Sequence, residues 1–410
     1  MRANVKPIFI AFFVFVFRIF AIGNTLDSIP KQLHLPNVGF VFNWQTNASA
    51  FTNTFMLQAV QGGIDVNSKD NTLKRLGKHN FFVNQIEATA YDVIPLKSNS
   101  SSGIIVEFGA ASFMDAAYSS SSLELIMNGN AHYKNSKKEI GTLSYRSISY
   151  QKLGVGLRKY SKNKSHCFNA TIDFISGNQA RDLNVNRGSI FTEENGEFVD
   201  VDLAFNYKAS PEGSKLISPK GFGAALNLNW MTLFNKNKGT LSISISNIGV
   251  VNYKYTNSIR LDTSVHFTGF NLGTLNSQSV LHGFNLQDSI SKNFHLDSFT
   301  SVYNFTLPTL LEFNFERVLN TNDIIQLQGT AYLYNALPMA KFAYLHKIKK
   351  QWYFGADTRV GGYGKVDFDI LSRYKFKKLF IDATLRSIEG IILPQHSSGL
   401  GLLFHVGLFL

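Results

Sequence analysis

The last twelve residues of the chain alternate with a period of two. Leu400, Leu402, Phe404, Val406, Leu408 and Leu410 share one face, whereas Gly401, His405 and Gly407 share the other. A terminal strand of this kind is typical of a closed membrane barrel, because its last strand must pair with its first to leave no open edge in lipid. The pattern therefore predicts a transmembrane β-barrel.

The N-terminal residues carry the pattern of an export signal. Arg2 and Lys6 precede an apolar run over residues 8–17, and the small residues Ala21 and Gly23 follow. This stretch is too short and too interrupted for a membrane-spanning helix, so we interpret residues 1–23 as a cleaved signal peptide. Residues 24–410 are then expected to form a single domain in the outer membrane of a Gram-negative cell. The only cysteine, Cys167, cannot form an intramolecular disulfide.

The apolar residues that follow are dispersed and do not form long runs. The chain is 44% hydrophobic, with 36 Phe and 16 Tyr, and this content recurs in alternation with polar residues. Such dispersal favours barrel strands over helical spans. The net charge is +12, but short lysine clusters near 236–238, 347–350 and 375–378 lie between strand candidates. We interpret them as solvated turns beside lipid headgroups, not as a nucleic-acid site.

Alternating segments bounded by turn residues run through most of the chain. The C-terminal hundred residues indicate a meander of antiparallel strands. Together the candidates give an all-β barrel of about sixteen strands, or about fourteen if residues 24–50 plug the lumen instead of forming the first strand. The candidate segments are 36–46, 81–93, 103–114, 143–160, 168–174, 199–207, 222–230, 241–246, 260–270, 311–319, 324–333, 340–346, 352–360, 366–373, 378–386 and 400–410.

Two stretches interrupt the strand pattern. Residues 47–80 are long and mixed, with a predicted helical turn over 70–76, and residues 271–308 are a predicted long loop with a short helix over 284–294. If the chain ends on the periplasmic side, counting strands backward places 271–308 and 176–197 outside the cell. These two loops are the expected contacts for a protein partner.

No motif for nucleophilic, metal or nucleotide chemistry is present. Asp367 and Asp369 share one face of a strand candidate, and paired carboxylates can serve as acid and base. A polar lumen nevertheless needs charges of both signs, so we predict solvated lumen lining and no catalytic, cofactor or metal site; the substrate-binding residues stay open. Gly361, Gly362 and Gly364 are interpreted as a turn. The residues interpreted as lumen lining are Asp200, Asp202, Asp367, Asp369, Arg373, Asp382, Arg386 and His405.

Several short pieces, taken in order, resemble an uncharacterised family of Bacteroidetes outer-membrane barrel proteins. They are mostly turn glycines and strand aromatics, and they extend over most of the mature chain. The pieces are Ile29 and Pro30, residues 70–80, Asn128 to Asn130, Tyr145, Tyr150, residues 153–157, Gly177, residues 245–251, residues 270–272, and Leu307 with Pro308.

That family is similar to FadL-type barrels and to PorV, a shuttle of the type IX secretion system. The first similarity implies a channel or transporter for small hydrophobic or amphipathic solutes, with aromatic residues along the path. The second implies a scaffold whose long loops hold a secreted or surface protein. Outer-membrane lipid is an expected partner in both cases, and neither similarity implies an enzyme, a cofactor or nucleic-acid binding.

Overall fold

The computed structural model describes residues 35–96, 101–141, 143–211, 219–235, 238–268, 297–333, 338–349, 351–376 and 378–409. Within these residues, 17 strands form one antiparallel sheet. The first nine are β1 (Val38–Ala48), β2 (His79–Pro95), β3 (Ser102–Ser119), β4 (Lys137–Glu139), β5 (Leu143–Tyr160), β6 (His166–Thr192), β7 (Val199–Ala209), β8 (Gly221–Phe234) and β9 (Gly239–Phe267). The others are β10 (Asp297–Thr306), β11 (Leu310–Val318), β12 (Asp323–Tyr332), β13 (Met339–Lys349), β14 (Trp352–Gly361), β15 (Val366–Phe376), β16 (Leu379–Arg386) and β17 (Leu400–Leu408).

Four α-helices accompany the strands in the described residues. They are α1 (Asn53–Gln61), α2 (Val66–Arg75), α3 (Ser120–Asn128) and α4 (Glu389–Ile392), and a 3₁₀ helix spans Asn130–Tyr133. Thr52 caps α1 and Asp65 caps α2, each accepting a hydrogen bond from a backbone N–H three residues later. Helix α2 overlaps the predicted helical turn over 70–76. None of the described helices is long and apolar enough to cross a membrane.

The sheet closes on itself through its first and last strands. In the register of β1 and β17, Val38 lies opposite Leu408 and Thr46 lies opposite Leu400. The circuit comprises 14 strands, so the predicted all-β barrel is confirmed. The terminal alternation lies in β17, the strand that closes it. Of the two interpretations of residues 24–50, the described part forms a wall strand, β1, while residues 1–34 lie outside the described range.

Three strands, β4, β7 and β10, lie outside the 14-strand circuit. The count of sixteen exceeds fourteen by two, because it includes β7 and counts β9 twice. Strands β7 and β8 both lie between β6 and β9, end to end. Strands β10 and β11 share one side of β9 in the same way, and β4 and β5 share one side of β6. The candidate at 199–207 is therefore β7, and the candidate at 260–270 belongs to the end of β9. Both were wrong as separate wall strands, because β6 and β9 are 27 and 29 residues long.

The two ends of the barrel differ in the length of their connections. At the proximal end, where β1 begins and β17 ends, the connections are short, from residues 350–351 to residues 96–101. At the distal end they include residues 49–78, 120–142 and 193–220. The predicted loop 176–197 belongs to this end, and so do residues 297–308, the described part of the second predicted loop. Residues 176–192, however, form the end of β6, because β4, β5 and β7 pair with it. Residues 297–306 form β10, and 284–294 lie outside the described range.

The wall strands have an apolar outer face and a mixed inner face. Alternate side chains point outward and stay exposed, as expected for a surface that contacts lipid. Exposed outer residues include Val106, Phe108, Leu153, Val155, Leu157, Ile172, Phe174, Phe222, Phe313, Phe342, Phe354 and Phe368. The residues between them point into the lumen.

Side chains fill the lumen at two levels. A large apolar cluster includes Phe113, Ile148, Tyr253, Phe305 and Leu307, all at most 4% exposed. A smaller cluster, nearer the proximal end, contains Ile324, Ala343, Leu345 and Leu371. Between and beside these clusters the lumen is polar, and the cavities described below lie there.

Candidate functional site

The larger lumen cavity, about 210 Å³, lies against strands β2, β3, β5, β6, β8, β9, β11 and β12. One part of its wall is aromatic and aliphatic, and the other is charged or amide-bearing. The apolar lining includes Phe113, Tyr150, Leu310 and Tyr332, and the polar lining includes Gln85, Glu87, Glu107, Lys152, Asn227 and Asn247. The site can therefore contact an apolar group and a charged group of one small molecule.

Lys152 is the centre of the charged part. Its Nζ lies 3.1 Å from a carboxylate oxygen of Glu87, 3.8 Å from one of Glu107 and 3.9 Å from one of Asp173. The Lys152 side chain is 8% exposed and the Asp173 side chain is fully buried. The alternation of β5 places Tyr150 and Lys152 on the lumen face, whereas Leu153 and Val155 point outward. Three carboxylates thus share one ammonium group.

Glycine on β5 makes room for this cluster. A Cβ atom on Gly154 would lie 2.4 Å from Asp173 Oδ1 and 2.4 Å from Glu107 Cγ. The two acids therefore face each other across a position where a Cβ atom would force one of them to shift. Asn227 Nδ2 donates a hydrogen bond of 2.9 Å to Asp173 Oδ2, while Asp173 Oδ1 has no hydrogen-bond donor among the described residues.

A second cavity of about 80 Å³ adjoins the first. The two share Gln85, Leu310 and Tyr332 in their linings. Tyr332 donates a hydrogen bond of 3.0 Å to Gln85 Oε1, from β12 to β2. Tyr363, from the connection of β14 and β15, reaches across the lumen to within 3.5 Å of Asp115 on β3. Because Tyr332 and Gln85 line both cavities, the hydrogen bond between them lies at the boundary of the two.

Asp367 and Asp369 face the lumen as predicted, but they are not solvated. They are 4% and 1% exposed, and Arg359 lies 3.7 Å from the first and 2.9 Å from the second. Asn47 donates to Asp367 at 2.9 Å. The interpretation as solvated lining was wrong because facing strands supply a buried arginine and an amide. Both carboxylates serve as hydrogen-bond acceptors within this network.

The other predicted lumen residues on the C-terminal strands also point inward. Arg373 lies 3.0 Å from Asp382 and 2.8 Å from Glu316. Arg386 Nη1 donates to the side-chain oxygens of Asn43 and Gln45 on β1, at 2.8 and 2.9 Å. His405 Nε2 lies 3.3 Å from the Tyr91 hydroxyl, consistent with a hydrogen-bonded wall residue. The predicted turn at Gly361 and Gly362 is confirmed, with φ of 93° and 70°.

Asp200 and Asp202 do not line the circuit. They lie on β7, beyond its distal rim, where Asp200 pairs with His266 and Asp202 pairs with Arg187. Arg187 also lies 2.9 Å from Asp262. The hydrogen bond from Arg187 lowers the pKa of Asp202. The prediction of lumen lining was wrong here, because β7 lies end to end with β8 and outside the 14-strand circuit.

The site residues that sequence reasoning missed are Glu87, Glu107, Lys152, Asp173 and Tyr332. A signal for part of the set is present in β5, where Lys152, Gly154, Gly156 and Arg158 alternate with the apolar residues Leu153, Val155 and Leu157. Small residues on the inner face of a barrel strand mark space for partners from other strands. In the described residues, no group of three His, Cys, Asp or Glu side chains has the arrangement of a metal site.

A family model for a family of unknown function, DUF5723, matches residues 29–356. The chain belongs to this family. The predicted resemblance to an uncharacterised barrel family is therefore confirmed at that level, while the Bacteroidetes origin and the similarity to PorV stay predictions. No curated protein matches the chain.

Among solved structures, the chain is similar to channels and transporters of low sequence identity. The TodX deltaS2S3 mutant monoaromatic hydrocarbon channel is 8% identical, with 92% of this chain and 91% of that chain covered and a TM-score of 0.43. The toluene transporter TbuX of Ralstonia pickettii is 7% identical, with 92% and 90% covered and a TM-score of 0.40. A FadL homologue of Pseudomonas aeruginosa is 8% identical, with 90% and 89% covered and a TM-score of 0.39.

Proposed function

We propose that this protein is an outer-membrane barrel that transports small amphipathic solutes through its lumen. The observation that carries the proposal is the larger cavity, where aromatic rings and a charged cluster meet inside a closed wall with an apolar outer face. The cavity volume of about 210 Å³ is below the roughly 300–1,000 Å³ of drug-sized ligand sites, so the solute is small.

Side chains divide the polar part of the described lumen. The apolar clusters around Phe305 and Leu345 border it, and the hydrogen bond from Tyr332 to Gln85 lies between the two cavities. Passage between the cavities therefore requires this contact to open. We expect movement of the Tyr332 ring to limit the flux between the two cavities.

Uptake into proteoliposomes tests the proposal. The wild-type protein is expected to admit a small aromatic amphiphile faster than protein-free vesicles do, and Tyr332→Ala is expected to raise the rate by joining the cavities. Tyr344→Ala is the matched control, because Tyr344 lies on the neighbouring strand, points outward and is 44% exposed. Uptake no faster than in protein-free vesicles, for the wild type and for Tyr332→Ala alike, would contradict a transport role.

We also propose the orientation and the export route. Bacterial barrels have short periplasmic turns and longer extracellular loops, so the distal end faces the outside of the cell. The exposed lysines Lys238 and Lys349 lie in or beside proximal turns, near the headgroups of the inner leaflet. N-terminal sequencing of the protein isolated from outer membranes is expected to begin near residue 24, and retention of residues 1–23 would refute signal cleavage.

A protein-binding scaffold resembling PorV is the second candidate. The distal helices and loops expose large apolar side chains, including Leu57 at 59%, Val60 at 86%, Val66 at 71% and Ile392 at 67%. Exposed apolar surface at the rim of a barrel suits a partner surface. A photo-crosslinking residue at Val60 tests this in intact cells, with Lys74 on α2 as control. A defined adduct from Val60 alone, together with no solute uptake, would favour the scaffold.

A further inference from the structure

We propose that the larger cavity selects an organic cation: a small ammonium compound that also carries an apolar group. This inference rests on the proposed transport of amphipathic solutes and names the charge of the solute. It is argued from the charge count, the hydrogen-bond capacity and the aromatic wall of one cavity.

The charge count favours a cation. Glu87, Glu107 and Asp173 provide three carboxylates, and Lys152 is the only cation paired with them in the described part of the chain. Only Glu87 is within hydrogen-bond distance of Lys152 Nζ, whereas Glu107 and Asp173 lie at 3.8 and 3.9 Å. Buried charges are stable when each has a partner. The cluster has a deficit of positive charge, and the adjoining cavity is where a cation would enter.

Hydrogen bonding gives an independent reason. The carboxylates of Glu87 and Glu107 line the cavity, and of these two only Glu87 accepts a hydrogen bond from Lys152. Behind them, the fully buried Asp173 accepts a hydrogen bond from Asn227, and its Oδ1 has no donor among the described residues. An ammonium group brings up to three N–H donors and no acceptor. A ligand that meets the carboxylates in the cavity is therefore a donor, in agreement with the charge count.

The aromatic wall separates an organic cation from an inorganic one. Phe113, Tyr150 and Tyr332 line the same cavity as the carboxylates, and ring faces attract ammonium groups and pack against hydrocarbon. The volume of 210 Å³ corresponds to about seven waters at roughly 30 Å³ each. It suits one small ring or short chain with an ammonium group.

The test compares two probes of matched shape, phenethylammonium and the neutral 2-phenylethanol, by calorimetry on the protein in detergent. Because hydrogen bonds to charged groups contribute about 1.5–3 kcal/mol, the ammonium is expected to bind roughly tenfold or more tightly than the alcohol. Glu107→Gln is expected to remove most of that difference. Glu312→Gln is the matched control, since Glu312 is another lumen carboxylate but lines the second cavity.

Equal affinities for the two probes would overturn the inference, as would an equal loss in Glu107→Gln and Glu312→Gln. A proton shared by Glu107 and Asp173 would produce the first of these results. If Glu107→Gln does not fold, Asp173→Asn replaces it; folding is checked by heat-modifiable migration in gels. Cation-selective binding without any uptake would leave this inference standing and refute transport. Uptake of both probes at equal rates would support transport and refute the selection of a cation.

Discussion

Two regions of the lumen differ in how their buried charged side chains are paired. On strands β14 to β16, Arg359 lies 2.9 Å from Asp369, and Arg373 lies 2.8 Å from Glu316 and 3.0 Å from Asp382. We call this region the paired region. On strands β2, β3, β5 and β6, Lys152 reaches only Glu87 within hydrogen-bond distance, and a cavity of 210 Å³ adjoins it. We call this the cavity region.

This difference in ion pairing separates buried charges that stabilise the wall from buried charges that have space for a ligand beside them. Guanidinium groups with direct carboxylate contacts fix facing strands against each other, and such contacts are strong and directional. Glu107 and Asp173 lie beyond hydrogen-bond distance of Lys152 Nζ, and the adjoining cavity has space for another donor. The paired region is therefore expected to govern stability, and the cavity region is expected to govern binding.

The largest effect is expected from Arg359→Met in the paired region. Arg359 is 2% exposed, and its removal leaves Asp367 and Asp369 buried without their cation. Breaking a buried pair in this way costs about 3–5 kcal/mol. We expect the free energy of unfolding in urea, followed by heat-modifiable migration, to fall by that amount. A loss under about 1 kcal/mol would show that the pair contributes as little as a surface pair does.

Lys152→Met is expected to cost less, about 2–3 kcal/mol, although it leaves three carboxylates. The adjoining cavity can hydrate them, which lowers the cost of an unpaired buried charge. Urea unfolding, followed by heat-modifiable migration, measures the loss. A loss as large as that of Arg359→Met would remove the distinction between the two regions.

Gly154→Ala is expected to cost about 1 kcal/mol, because the crowded atoms are carboxylate side chains that can shift. The added methyl would meet Asp173 Oδ1 and Glu107 Cγ at 2.4 Å, so we also expect weaker binding of phenethylammonium. Gly329→Ala is the control, since the nearest atom there, Phe313 Cβ, is 3.9 Å away. Unfolding in urea and calorimetry report the two effects separately. Equal results for the two variants would show that crowding at Gly154 has no effect.

The wall could be predicted from the sequence because its two faces differ in chemistry. Alternation in segments such as 400–410 and 222–230 shows which residues share a face. It does not show which strand lies alongside, so 199–207 and 260–270 were counted as wall strands. The pairing of β7 and β8 with the same two neighbours is set by the length of β6 and β9, which no local pattern reports.

The site could be predicted only in part, for the same reason. The sequence indicates that Asp367, Asp369 and His405 face inward, since each lies on the polar side of an alternating segment. Their burial depends on partners from other strands, as with Asn47, which lies 320 residues from Asp367. The cavity is formed by eight strands together. Its acids and Lys152 each resemble ordinary lumen lining when only their own strand is considered.

The smallest effect is expected from Arg187→Met, which repeats the Arg359 substitution at an exposed site. Arg187 also contacts two aspartates, at 3.0 and 2.9 Å, but its side chain is 52% exposed. Solvent screens such pairs, so we expect no resolvable change in urea unfolding. The pKa of Asp202 is lowered by Arg187, so any stability from this pair is present above the ordinary pKa of an aspartate and disappears as the pH falls through the lowered value. A loss that matched Arg359→Met would mean that contact geometry, and not burial, sets the strength of both pairs.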